Sequence, residues 1–529
     1  MRRRQFIQQS LAATAASWWL SSCQAPAAIP GRIVGANSQL GHLLRQPPNL
    51  PVGRTLRTQV LIVGGGVSGL STAYHLSQKG YQQYTLAELE TQTGGNARGG
   101  SNAISPYPWG AHYVPVANNN CEAYLQFLQS AGVVTGYQQG QPVYNETMLC
   151  HDPEERLYIN GRWQEGLVPQ WGVSAEGQQQ ISRFLQHMEQ LRQATGTDGR
   201  QAFAIPVAES STDEQYRALD QLTMQAWMQQ QGYHHPDLLT YVNYCTRDDF
   251  GTAVQHISAW AGIHYFAGRK GQAANADAQD VLTWPQGNQY LTDALRSQCG
   301  GTILSGHAAY QVQPHGQGWR VLLTQSAQGP ATAVECQVLV LATPQFVNAR
   351  LLNEPGFSSL ASQLPYSPWM VANLTVDKLD EQSGMTPCWD NVLHGGRGLG
   401  YVDATHQLLQ WHHRQRNLTY YLPLTDGDPA NLRRWAQQQS HADWCQLVLS
   451  ELETVHPNMR KAIRQIDVML WGHAMIQPIP GLLWGPQRQQ LRQAAGSIIL
   501  AHTDMAGISI FEEGFYQGLQ AAQQVWHQL

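Results

Sequence analysis

Apolar and polar positions separate most sharply between residues 60 and 80. Val60-Leu61-Ile62-Val63 is an unbroken apolar run, the pattern of a strand buried on both faces. It runs into Gly64-Gly65-Gly66-Val67-Ser68-Gly69. An apolar helical pattern, Leu70 to Leu76, follows, and Gly80 offers a helix stop. Strand, glycine turn and helix are predicted in that order, and Tyr84-Thr85-Leu86-Ala87-Glu88 reads as the next strand. Two later runs, Cys336 to Thr343-Pro344 and Ser497 to Asp504, predict further buried strands, and a helix is predicted from Phe511-Glu512-Glu513-Gly514 to the C-terminus.

Between these runs the pattern changes. Gln-rich polar faces around 175–195 and 213–232 predict helices. Alternation from Trp369 to Val376 predicts a strand, and 407–412 and 418–422 read as two more. Residues 24–56, rich in Pro, Gly and Asn, read as a tether. The fold class is therefore α/β. Three segments (57–115, 285–345 and 465–529) are predicted to build a dinucleotide-binding domain, and two (116–284 and 346–464) an interleaved α+β substrate domain.

The chain of 529 residues is long enough for two sizeable cores. A net charge of −5 and the lack of a basic stripe beyond the N-terminus give no reason to expect nucleic acid as a partner. No later run of 18 apolar residues suggests a membrane span. Residues 1–23, MRRRQFIQQSLAATAASWWLSSC, have a basic start, an apolar middle and a small-residue end, which marks a targeting segment. Arg3-Arg4-Gln5-Phe6-Ile7 resembles a twin-arginine export signal, and Leu20-Ser21-Ser22-Cys23 resembles a lipoprotein box. Both imply export through the twin-arginine machinery, a periplasmic location and a membrane anchor on Cys23. The other seven cysteines show no CxxC pair or metal-ligand spacing, so no metal is expected.

Gly64-x-Gly66-x-x-Gly69 between strand and helix fits a pyrophosphate cradle. The first glycine allows the turn, the second lets the phosphate approach, and the third lets helix and strand pack. Glu88, 24 residues after Gly64, is the expected ribose acid, with Glu90 as its competitor. Thr93-Gly94-Gly95-Asn96-Ala97-Arg98 then places a glycine pair six residues after that acid.

With that pair the chain resembles the FAD-dependent amine oxidase superfamily, which includes the phytoene desaturases. Val338 to Pro344 resembles the family's late strand, and 497–529 its last strand, loop and helix. The resemblance implies a glutathione-reductase-like FAD domain of Rossmann type. It implies FAD contacts at Gly64, Gly66, Val67, Ser68, Gly69, Glu88, Gly94, Gly95, Arg98, Ala309, Ala342, Asp504, Glu513, Gly514 and Phe515. Arg98 would replace the arginine that usually follows the glycine pair, where this chain has Asn96. The amides near Gly514 and Phe515 would face the flavin. No second GxGxxG is present, so NADH is not expected as electron donor.

The resemblance also implies hydride transfer to flavin N5 from a carbon next to an amine nitrogen. The expected substrate is thus a small amine. No nucleophile is needed; the site must exclude water and keep the amine neutral. His112 and Tyr113 in one segment, and Trp471 and His473 in another, would line that site. The family lysine near N5 is missing, because Trp369, Ala372 and Asn373 occupy the strand after Pro368. In Arg247-Asp248-Asp249 the acidic pair can hold a cationic amine beside Trp260 and His264, or can simply form an internal ion pair on a packed helix. Two other readings stay open: a desaturase of an apolar, isoprenoid-like substrate, and a flavin-binding assembly or electron-relay protein without turnover.

Overall fold

A computed structural model describes residues 28–377, 379, 385–409 and 414–529. The export motif and Cys23 lie outside the described residues. At the centre is a five-stranded parallel sheet in the order Thr302–Leu304, Tyr84–Ala87, Val60–Val63, Val338–Leu341, Ile499–Leu500. Its strands are buried on both faces. Val60 and Ile62 enter one core, whereas Leu61 and Val63 enter another. That two-sided burial is why the run carries no polar position.

Helices Val67–Gln78 and Phe511–Gln528 pack together over one face of this sheet. The approach is close enough that Ser71 Oγ donates to the Phe515 carbonyl at 2.7 Å. A Cβ on Gly518 would lie 2.4 Å from Ser71 Cβ. A four-stranded sheet, Ala308–His315, Gly318–Thr324, Ala331–Cys336 and Val52–Arg57, adjoins the central one.

The second large layer is an eight-stranded sheet. Its order is Ile33–Gly35, Ile463–Ile476, Tyr366–Asp377, Gln415–Pro423, Tyr401–Asp403, Asp390–Leu393, Glu155–Ile159, Arg162–Glu165. Strand Tyr366–Asp377 alternates: Met370, Ala372 and Leu374 enter one core, and Trp369 and Val371 face a second, aromatic cluster that includes Trp389 and Tyr421. Helices Ala175–Gln193, Pro236–Phe250 and Ala259–Ala267 cover the Glu155–Ile159 end of the sheet.

Three sequence readings need correction. Residues 28–56 are not a free tether: Ile33–Gly35 pairs with Val468–Leu470, and Val52–Arg57 with the Ala331–Cys336 strand. Edge pairing uses the backbone, so it leaves little side-chain pattern. The third dinucleotide-domain segment cannot begin at 465, because Ile463–Ile476 runs unbroken through the eight-stranded sheet. Residues 404–408 form turns rather than the start of a strand, while 410–413 lie outside the described residues. Among the described residues no helix is long and apolar enough to cross a membrane.

Candidate active site

The three motif glycines have different tasks. Gly64 sits at φ +105°, and a Cβ there would lie 2.7 Å from the Ala342 carbonyl oxygen. A Cβ on Gly69 would lie 1.8 Å from the Gly64 carbonyl oxygen, so the third glycine is required for folding. A Cβ on Gly66 would meet nothing closer than Gly95 Cα at 3.8 Å. Gly66 therefore faces open space, as a close ligand approach requires. Gly66 is the N-cap of helix Val67–Gln78 and lacks a side-chain cap, and the first backbone bond of that helix is Leu70 N–H to Gly66. The amides of Val67, Ser68 and Gly69 thus form an opening turn suited to an anion.

Glu88 ends its strand buried. Its Oε2 accepts from Gly65 N at 2.5 Å and its Oε1 from Glu90 N at 2.8 Å. Burial is the main cause raising its carboxyl above the ordinary range. His307 N–H donates to the Glu88 carbonyl at 2.7 Å, which fixes Ala309 just beyond it. Gly94 N–H returns to the Gly65 carbonyl at 2.8 Å, and Gly94 and Gly95 both have positive φ. Thr93 Oγ1, beside this turn, is buried with no partner. Arg98 is already engaged: it pairs with Glu90 at 3.0 Å and lies over the Trp471 ring. Asn96 Nδ2 donates to the Ala474 carbonyl.

At the far side Asp504 is fully buried. Its Oδ2 accepts from Gln345 N at 2.8 Å and from Tyr366 OH at 2.6 Å. Its Oδ1 lies 3.0 Å from His502 Nδ1 but has no hydrogen-bond donor. An open Gly66 and an orphaned hydroxyl at Thr93 fit a long polar ligand such as FAD. The last helix needs a correction. It begins at Phe511, and Gly514 N–H is already bonded to Ile510 inside it, so the free opening amides belong to residues 511–513. Phe515 packs into an aromatic cluster with Tyr74, Tyr124 and Phe127, and Glu513 Oε1 accepts from Val207 N at 2.5 Å.

The expected site aromatics divide into separate places. His112 stacks on Tyr421 (ring centroids 4.5 Å apart) and leans on Trp389 at 5.5 Å. Burial holds its pKa down to about 3, so the ring is neutral. Tyr113 meets Trp389 edge-on and points its hydroxyl at Asp248 Oδ2 (3.1 Å) and Asp249 Oδ1 (3.2 Å). Trp471 donates its indole N–H to the Trp109 carbonyl at 2.6 Å. His473 lies apart, stacked on Phe346 and edge-on to Tyr366.

The acidic pair is not an internal Arg247–Asp248 ion pair. Arg247 turns to the Arg397 carbonyl, and Arg269 takes Asp249 at 2.8 Å. Asp248 keeps only the Tyr113 hydroxyl, and burial, with Asp249 adding to it, pushes its carboxyl up to about 7. Asp390 accepts from Tyr244 OH at 3.2 Å and is held well above the ordinary range by burial, then by Asp248. Asp248 and Asp249 therefore share one guanidinium, that of Arg269, and Asp390 lies near Asp248. Trp260 and His264 stack on each other in a core instead, with His264 bonded to the Ala204 carbonyl. Asn373, where the family lysine is missing, is structural: it donates to Pro108 and accepts from Thr419.

The fold and the cleft define a dinucleotide-dependent oxidoreductase of the flavoprotein class. A family model described as DAO, FAD dependent oxidoreductase, matches residues 59–465, and the chain belongs to that family. It is an FAD-dependent oxidoreductase and FAD is its cofactor. Similar solved structures include a double mutant of putrescine oxidase (TM-score 0.64, 14% identity, covering 89% of this chain and 100% of that one). Cyclohexylamine oxidase from Brevibacterium oxydans IH-35A is also similar (TM-score 0.60, 14% identity, 89% and 99% covered). So is a CLA-producing fatty acid isomerase from P. acnes (TM-score 0.61, 14% identity, 88% and 98% covered). At such identity these likenesses show the fold alone. A stretch of 81 residues is 36% identical to the mitochondrial pyruvate dehydrogenase phosphatase regulatory subunit of Mus musculus, and spans 15% of this chain and 9% of that protein.

Proposed function

We propose that the enzyme oxidises a small amine at the carbon next to nitrogen. One observation carries this reading: partly buried carboxylates outnumber the guanidinium beside them, next to an aromatic wall. Asp248 and Asp390 lack a cationic side chain of their own, and His112, Tyr113, Trp389 and Tyr421 stand against them. An ammonium group satisfies both features, by charge and by cation–π attraction. An apolar alkene satisfies neither, which disfavours the desaturase reading.

FAD, when bound, supplies a hydride acceptor. Gly66, the Val67–Gly69 amides, Glu88, Gly94–Gly95, Thr93 and Asp504 are the residues that would hold it. The remaining work falls to side chains around the substrate. Asp248 and Asp390 attract the ammonium, and the aromatic rings exclude water. The amine must shed a proton before its C–H bond is oxidised, and Asp248, with a carboxyl near neutrality, is the group placed to take it at Oδ2 or Oδ1. Tyr113 orients that carboxylate through its hydroxyl. Neutral His112 adds no competing positive charge. The test is anaerobic flavin bleaching by amines in the wild type and in Asp248→Asn. Amines should bleach the first far faster than the second, and equal rates would remove Asp248 from the mechanism.

We also propose that residues 1–23 direct folded, cofactor-loaded protein through the twin-arginine system and that Cys23 anchors it in the periplasm. The support is Arg3-Arg4 and Leu20–Cys23 ahead of a cofactor-binding fold. Replacing Arg3 and Arg4 by lysine should leave the protein in the cytoplasm; unchanged export would contradict this route.

A further inference from the structure

One face of helix Pro236–Phe250 borders a cavity that the proposed chemistry does not use. Thr240, Asn243, Tyr244 and Arg247 recur at three- and four-residue spacing and line it. Strand Asp390–Leu393 and the turn after it supply another wall, through Val392, Leu393 and Gly395. Leu157 and Leu167 complete the apolar part of the lining. The volume is about 250 Å³, which suits a small organic molecule and is too little for a nucleotide. Tyr113, Asp248, Asp390 and Trp389 are not part of this lining. Tyr244 is the wall between the two places: it lines the cavity, while its hydroxyl donates to Asp390 Oδ2 at 3.2 Å.

The free polar groups of the lining residues are donors. Arg247 is 8% exposed, and its Nε is buried without a partner. Its Nη2 donates to the Arg397 carbonyl, and no carboxylate among the described residues comes within ion-pair distance of it. Burial is the main cause lowering its pKa, and Asp426 and Glu451 oppose that only from farther away. Glu451 is spent on the Gly398 N–H at 3.0 Å and on the Tyr420 hydroxyl, and Asp237 on His394 at 3.0 Å. Asn243 Oδ1 accepts from Val254 N–H at 3.0 Å, and its Nδ2 has no acceptor among the described residues. The Thr240 hydroxyl has no partner among them either. No acidic side chain among the described residues lines the cavity. A buried guanidinium with unmade bonds carries a desolvation cost, and a carboxylate offsets it through charge-assisted hydrogen bonds. An ammonium group or a neutral amide does not.

We propose that this cavity is a binding site for a small monocarboxylate with an apolar tail, its carboxylate on Arg247 and its tail between Leu157, Leu167 and Val392. The site is separate from the amine pocket and does not depend on what that pocket oxidises.

The experiment is isothermal titration of the purified holoprotein with hydrocinnamate, a phenyl ring on two methylenes and a carboxylate, and with its neutral amide. The acid should bind at a single site, and the amide about tenfold or more weakly. Arg247→Gln should weaken acid binding about tenfold or more, to the level of the amide, and Arg247→Lys should recover part of the loss, because a point charge lacks the planar fork. Thr240→Trp fills the cavity and keeps the guanidinium, so it should abolish binding of both, and it decides the matter where Arg247→Gln does not fold. Asp248→Asn should bind the acid as wild type does, and the acid should leave the flavin absorbance unchanged. No binding of the acid, equal affinity for acid and amide, or full acid binding in Arg247→Gln or Thr240→Trp would overturn the proposal. Loss of acid binding in Asp248→Asn, or a shift of the flavin bands, would put the acid in the amine pocket and overturn it as well.

Discussion

Tyr113 reaches Asp248 with its hydroxyl, 3.1 Å from Oδ2, across 135 positions of sequence. That contact joins the segment after the glycine pair to helix Pro236–Phe250. It leaves Asp248 with a hydroxyl donor but no cation of its own, because Arg269 pairs with Asp249.

A buried carboxyl without a cation costs stability. Folded Asp248 keeps its proton to about pH 7, and the unfolded chain only to about 4, so the folded state binds more protons in between. Stability therefore falls as pH rises from about 4 to 7. Asp248→Asn should remove this loss and melt a few degrees higher than wild type at pH 8, with no gain at pH 4. The same variant should raise KM for the amine at least tenfold. Thermal melts at two pH values and steady-state kinetics check both.

Amine binding should release protons near neutrality. A cation beside Asp248 and Asp390 favours their ionised forms and draws both carboxyls downward. Calorimetry at pH 7 in buffers of different ionisation enthalpy should show proton release on binding, absent in Asp248→Asn/Asp390→Asn. Proton uptake would contradict the assignment of these acids to the ammonium.

Gly66 and Gly69 should fail differently when changed to alanine. Gly69→Ala places a Cβ 1.8 Å from a backbone oxygen and should give little folded protein. Gly66→Ala meets nothing within 3.7 Å, so it should fold with apoprotein stability intact but hold much less FAD. Circular dichroism and flavin absorbance separate the two outcomes.

The seven described cysteines are free, and burial raises the thiol pKa at Cys121, Cys150, Cys245, Cys299, Cys336, Cys388 and Cys445. Thiolates are thus scarce in the folded protein. Iodoacetamide should label these positions slowly in the native state and rapidly in denaturant, as mass spectrometry of the peptides would show.

The cofactor cleft was legible because its parts are contiguous. Glycine spacing, the strand before it and the helix after it are all written within about thirty residues, and backbone geometry needs nothing else. Of the proposed substrate pocket, only His112, Tyr113 and the Asp248–Asp249 pair stand out in the sequence. Trp389, Asp390, Tyr421 and Tyr244 come from elements far apart in sequence, and no local period marks them. Asp390 is set by the parallel register of Asp390–Leu393 against Glu155–Tyr158, which no residue type announces. At Asp504 one oxygen is spent on Gln345 and Tyr366; sequence shows the acid and not its partners. The edge strand Ile33–Gly35 escaped notice because its three residues join the sheet by backbone pairing, with only Val34 partly buried against the core.

The most direct measurement is anaerobic absorbance of the purified holoprotein during titration with monoamines, diamines and an apolar alkene. Flavin bands near roughly 375 and 450 nm should bleach with at least one amine and not with the alkene. Bleaching should be largely lost in Asp248→Asn. Bleaching by the alkene alone, or intact bands with every amine, would contradict the claim that the Asp248–Asp390 pocket serves amine oxidation.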